Sequence, residues 1–97
     1  MSRLWKAAAY PRYNKRRKKL SWQLKKLLTA EEDKILANPQ KGDRKRGALR
    51  NVWVEKFQAQ NDQILIAYEI DEQNRQVNFM DVGQHENFYR DLEKYLK

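Results

Sequence analysis

The sequence predicts an α+β fold: an N-terminal helical hairpin packed on a small antiparallel sheet and closed by a short C-terminal helix. Three observations lead there. Ile64 to Tyr68 is the only run of five consecutive apolar residues, the pattern of a strand covered on both faces. Such a strand needs a neighbour on each side, and the flanking stretches 50–59 and 76–82 alternate well enough to supply them. Upstream, Tyr13, Leu20, Leu24, Leu27 and Leu28 fall on one stripe of a helix.

Composition sets limits on this reading. Ninety-seven residues are expected to form a single domain, 1–97, with one modest core. Absence of cysteine excludes disulfides and thiolate chemistry. With no apolar leader and no membrane-length segment, the expectation is a soluble, cytoplasmic protein. Charge is divided unevenly: residues 1–50 hold sixteen Lys and Arg against four acids, residues 51–97 five against nine. A basic half beside an acidic one favours a polyanion at the basic end.

Taken in order, residues 3–10 leave room for a fourth, N-terminal edge strand. Pro11 suits the first turn of a helix, opening a helical hairpin over 11–38. Thr29 followed by Glu32 has the form of a capping box, so the second helix is expected to start near Ala30, and Asn38-Pro39 ends it. Residues 40–50, with two glycines and five cations, read as a basic loop. A three-strand meander occupies 50–83. In its first strand Val52, Val54 and Lys56 share one face and Trp53, Glu55 and Phe57 the other. In its third, Val77, Phe79 and Asp81 oppose Asn78, Met80 and Val82. Gly83 is expected to stop that strand. The C-terminal helix spans 86–97, with Phe88, Leu92, Tyr95 and Leu96 inward and Arg90 outward.

Four stretches, in this order, carry a resemblance. Asn38-Pro39-Gln40-Lys41-Gly42-Asp43 follows the hairpin, Val54-Glu55-Lys56-Phe57 opens the sheet, and Leu65-Ile66-Ala67-Tyr68-Glu69-Ile70 forms its centre. Gly83-Gln84-His85-Glu86-Asn87-Phe88-Tyr89-Arg90-Asp91-Leu92 closes it. Together they resemble the RelE/ParE superfamily of bacterial type II toxins, over roughly residues 10–97. The resemblance implies a toxin neutralised by a cognate protein antitoxin. RelE-like members cut messenger RNA on the ribosome, without metal or cofactor; ParE-like members share the fold, lack that chemistry and poison DNA gyrase.

The residues present can be set beside this chemistry. Attack of a ribose 2′-hydroxyl on the adjacent phosphate needs cations for the developing charge and groups that take and give a proton. The candidates are Lys56 and Arg50 as cations, His85 as base or acid, and Tyr89 as a donor or a stacking platform. Arg44, Lys45 and Arg46 in the loop, Lys18 and Lys19 on the hairpin, and Arg90 would hold the RNA. In one respect the sequence departs from RelE-type nucleases: their central-strand arginine corresponds here to Leu65. That departure favours a gyrase poison, whereas His85 and the basic half favour the nuclease; a basic nucleic-acid-binding module without toxicity is the third reading.

Overall fold

The computed structural model describes residues 4–85 and 87–96. At the centre of a five-stranded sheet stands β4 (Asp62–Asp71), whose residues Ile64 to Tyr68 are all buried. Its antiparallel neighbours are β3 (Trp53–Ala59) and β5 (Gln76–Gln84), which completes the expected meander. Two further strands extend it. β1 (Lys6–Ala9) pairs parallel with β5, and the two-residue β2 (Asp43–Arg44) pairs antiparallel with β3, giving the order β1-β5-β4-β3-β2. The basic stretch 40–50 is therefore not a plain loop. It carries β2 between two short 3₁₀ turns, Pro39–Lys41 and Gly47–Leu49.

The hairpin on one face of the sheet breaks earlier than the capping-box pattern suggests. α1 (Pro11–Lys18) is eight residues and α2 (Trp22–Ala37) sixteen. Ser21 caps α2, its hydroxyl accepting the Leu24 amide at 3.2 Å. Thr29 and Glu32 lie inside α2 and serve as tertiary partners instead. Glu32 takes both Arg17 Nε and Nη2 at 3.0 Å and the Tyr13 hydroxyl at 2.5 Å, while Thr29 accepts Arg17 Nη2 at 2.7 Å. A helix as short as α1 does not persist on its own. These bonds, and Tyr13 stacked on Phe79 at 5.3 Å, hold it in place.

Two cores result. Tyr13, Leu28, Ile35, Ile66, Tyr68 and Phe79 fill the hairpin face. Val54, Leu65, Ala67, Met80, Phe88 and Leu92 fill the opposite face, beneath α3 (Phe88–Leu96). Of the helix expected over 86–97, Phe88–Leu96 is observed, with Asn87 a turn before it and Tyr95 and Leu96 exposed rather than inward; residues 86 and 97, and Arg3 of the expected edge strand, lie outside the described residues.

One irregularity re-aims β5. Ala67 pairs with Asp81 and Tyr68 with Phe79, so Met80 is an extra residue in the ladder. Such a bulge reverses the facing of everything beyond it. Asp81, which simple alternation places with Val77 and Phe79, stands instead opposite Ala67 on the α3 face. Gly83 does not stop β5 either; it lies inside the strand, which runs on to Gln84.

Candidate active site

Three elements meet where β5 ends: the strand itself, the start of α3, and the basic segment before β3. The chain leaves β5 at Gln84 and bends at His85, whose carbonyl accepts the Phe88 amide at 3.2 Å. Asn87, at φ 61°, makes the turn, and its carbonyl takes the Asp91 amide at 2.9 Å in the first turn of α3. This fixes His85 as an exposed residue at the sheet's end.

Tyr89, one residue after the buried Phe88, projects from the flank of α3. Its ring meets the His85 imidazole edge-on, with centroids 5.9 Å apart. Lys45 Nζ also stands over this ring, 5.0 Å from its centre. A cation near an aromatic ring is attracted to its negative face, so the phenol carries an ammonium and an imidazole on one small platform. Lys45 is itself anchored by its amide, which donates to the Val52 carbonyl at 2.8 Å. The Tyr89 hydroxyl is buried and has no hydrogen-bond partner among the described residues. It is therefore the ring, rather than the hydroxyl, that is available to neighbours.

Lys45 continues into a cationic hollow of about 360 Å³, lined by Arg44, Lys45, Arg46, Gly47 and Arg50. Gly47 sits in the left-handed region, φ 68°, at the start of the second 3₁₀ turn. This turn presents four basic side chains over a few residues, a spacing suited to a phosphate backbone.

Lys56 is exposed on the α3 face and lies in one cross-strand row with Leu65 and Gly83. Two strand spacings separate Lys56 from Gly83, about 10 Å at the backbone, and Gly83 is two residues before His85. Leu65 is fully buried beneath α3.

The structure thus puts Lys45, His85 and Tyr89 in direct contact, joins Lys45 to Arg44, Arg46 and Arg50, and sets Lys56 on the same face. It does not gather the remaining candidates. Lys19 lines a second hollow, of about 480 Å³, with Pro11, Arg12, Lys15, Arg16 and Tyr95. Lys18 is exposed on α1 and Arg90 on α3.

Sequence reasoning passed over Arg12, Arg16 and Asp81. The Asp81 side chain is wholly buried, with Arg12 Nε at 3.2 Å and Arg16 Nη1 at 3.3 Å from its oxygens. Burial raises its pKa above the ordinary carboxylate value, against the pull of Arg16 and Arg12. With two guanidiniums in contact we treat it as ionised at neutral pH. The bulge at Met80 makes this triad, and no periodicity in the sequence announces it. Among the described residues, no cluster of His, Cys, Asp or Glu is arranged to hold a metal ion.

Residues 8–93 match the model of a family described as the ParE-like toxin of type II bacterial toxin–antitoxin systems. The chain belongs to this family. The toxin also shares its fold with solved RelE structures. A double arginine-to-alanine mutant of E. coli RelE in the free state gives a TM-score of 0.76 at 16% identity, covering 98% of this chain and 100% of that one. The toxin–antitoxin complex RelBE2 from Mycobacterium tuberculosis gives 0.72 at 14% identity, over 84% and 92%. The intact E. coli RelBE complex gives 0.72 at 17%, over 84% and 98%. At these identities the likeness establishes the fold alone. No curated protein matches the toxin's sequence. The expected kinship with the RelE/ParE superfamily and the α+β class are both borne out.

Proposed function

We propose that this toxin is a ribosome-dependent messenger-RNA endonuclease that arrests translation in the cytoplasm and is neutralised by a cognate antitoxin. The observation that carries the reading is the contact chain Lys45–Tyr89–His85 at the end of the sheet, opening onto the arginine-lined hollow. The 2′-oxygen of the message attacks the adjacent phosphorus as the bond to the 5′-oxygen breaks. One proton leaves the 2′-hydroxyl and one must reach the departing 5′-oxygen. His85, exposed and held edge-on by Tyr89, is the group suited to take and give a proton. Lys56, Lys45 and Arg50 offset charge on the phosphoryl oxygens. Tyr89 acts through its ring as a positioning residue, while Arg44 and Arg46 hold the RNA backbone.

A second reading has its own support. Leu65 puts an apolar, buried side chain where RelE-like nucleases carry arginine, and the matching family is named for ParE. That favours a gyrase poison. The antitoxin reading is supported by the RelBE complexes among the fold's relatives, and by apolar side chains left exposed: Trp22 at 68%, Leu4 at 51% and Leu27 at 42%.

A translating extract separates the readings. Added toxin should halt synthesis and leave new message ends near codon boundaries, detected by primer extension. Intact messages with accumulating DNA breaks in growing cells would overturn the nuclease in favour of gyrase.

A further inference from the structure

We propose that Arg16, reaching from α1 over the edge of the sheet onto Gly83, is a phosphate-contacting catalytic residue of the site at the end of β5. The proposal rests on the nuclease reading above.

The row Lys56–Leu65–Gly83 crosses the middle of the α3 face. Only its first member is charged. Leu65 is sealed under Phe88, and Gly83 has no side chain. A Cβ built on Gly83 would lie 3.5 Å from Arg16 Nη1 and 3.6 Å from the Phe88 ring. The space a β5 side chain would take is thus bordered by a guanidinium arriving from another element. β1 ends at Ala9, opposite Phe79, so the second half of β5 has no strand beyond it, and α1 packs there instead. That geometry brings positions 12 and 16, one helical turn apart, to the α3 face.

The two arginines are not equivalent. Arg12 is held inward: its guanidinium lies 4.7 Å from the Tyr95 ring centre, and its side chain is 21% exposed. Arg16 is 38% exposed. One Nη1 contact to Asp81 uses a single corner of its fork, and a guanidinium presents five N–H donors. Together Arg12, Arg16 and Asp81 carry one net positive charge, so the triad retains attraction for an anion. Access is open along the same helix face, where Lys15 and Lys19 line the 480 Å³ hollow with Arg16. The ligand this suits is a phosphodiester of single-stranded RNA, entering along α1 with its scissile phosphate between Arg16 and Lys56.

The alternative duty for Arg16 is to neutralise Asp81 and nothing more, and a paired substitution distinguishes the two. In Arg16→Gln combined with Asp81→Asn, the carboxylate that Arg16 would neutralise is gone while Arg12 keeps its place over the Tyr95 ring, and Arg16→Lys keeps the charge but loses the fork. Folding is checked by circular dichroism and thermal melting. Cleavage is read by primer extension in a translating extract, and binding by fluorescence anisotropy on a 2′-O-methyl single-stranded RNA titrated with KCl. A phosphate contact predicts that the double variant cuts about 10²–10³-fold more slowly than wild type. It also predicts a salt slope shallower by about 0.7, the share of one contact on a single strand. Arg16→Lys should fold normally, keep the slope and still cut at least tenfold more slowly. If the wild type cuts and either variant cuts equally well, Arg16 only neutralises Asp81 and this proposal falls alone. If the wild type leaves messages whole, the nuclease reading fails first and takes the proposal with it.

Discussion

Lys45 Nζ rests 5.0 Å from the centre of the Tyr89 ring, tying the segment before β3 to the helix after β5. The contact converts two distant basic and aromatic stretches into one surface, and it makes the ring, rather than the hydroxyl, the useful part of Tyr89.

Tyr89→Phe keeps the ring contacts with Lys45 and His85 and removes a buried hydroxyl that has no partner among the described residues. Cleavage should stay within about threefold of wild type, and stability should hold or rise by about 1 kcal/mol. Tyr89→Ala removes the platform and should lower cleavage about 10²-fold, comparable to losing a positioned acid–base group. Equal losses in the two variants would show that the hydroxyl does the chemistry.

Arg46→Gln and Arg50→Gln empty half of the cationic hollow while leaving the fold intact, since both side chains are exposed. Each should flatten the slope of log affinity against log salt for single-stranded RNA by about 0.7. An unchanged slope in both would place the RNA elsewhere.

Of the three glycines, Gly42 has the least room for a side chain. A Cβ there would stand 2.6 Å from the Tyr68 hydroxyl and 3.0 Å from the Val54 carbonyl oxygen. The Gly42 amide donates to that hydroxyl at 3.2 Å, and the hydroxyl donates to the Pro39 carbonyl at 2.5 Å. Gly42→Ala should cost about 1–3 kcal/mol, measured by urea denaturation. Combining it with Tyr68→Phe removes one of the two obstructions, so the double variant should lose less than the sum of the singles.

The same tyrosine sets an alkaline limit. Burial pushes the Tyr68 pKa from 10.0 to about 12, and burial with the Glu69 carboxylate does the same for Tyr10. Both groups hold their protons more tightly folded than unfolded. Their contribution is therefore complete below pH 10 and lost as pH rises through about 12. For Tyr68 this amounts to about 3 kcal/mol. Urea midpoints followed from pH 9 to 12 should fall, and Tyr68→Phe should remove part of the slope; a slope unaffected by that substitution would contradict the assignment.

Much of this arrangement is legible in the chain. The apolar run 64–68 marks the central strand because a short, β-branched segment enclosed on both faces of a sheet buries every residue in succession. Its flanking strands and the faces of Val54 and Lys56 follow from alternation, and Pro11 and Asn38-Pro39 mark ends through backbone geometry. The link between the helices lies before Ser21 rather than at Thr29, because Thr29 and Glu32 satisfy a capping pattern while serving Arg17 and Tyr13. Local patterns record which bonds a side chain can make; its tertiary neighbours decide which it does make.

By itself the sequence determined the central strand, the basic half and the presence of one imidazole and one phenol just past the sheet. Tertiary structure alone decided which cations join them. A single extra residue at Met80 turned Asp81 to the α3 face and drew Arg12 and Arg16 to it. The reason is physical: a one-residue shift in a ladder of period two exchanges its faces, and a buried carboxylate then requires cations from whichever element lies beside it.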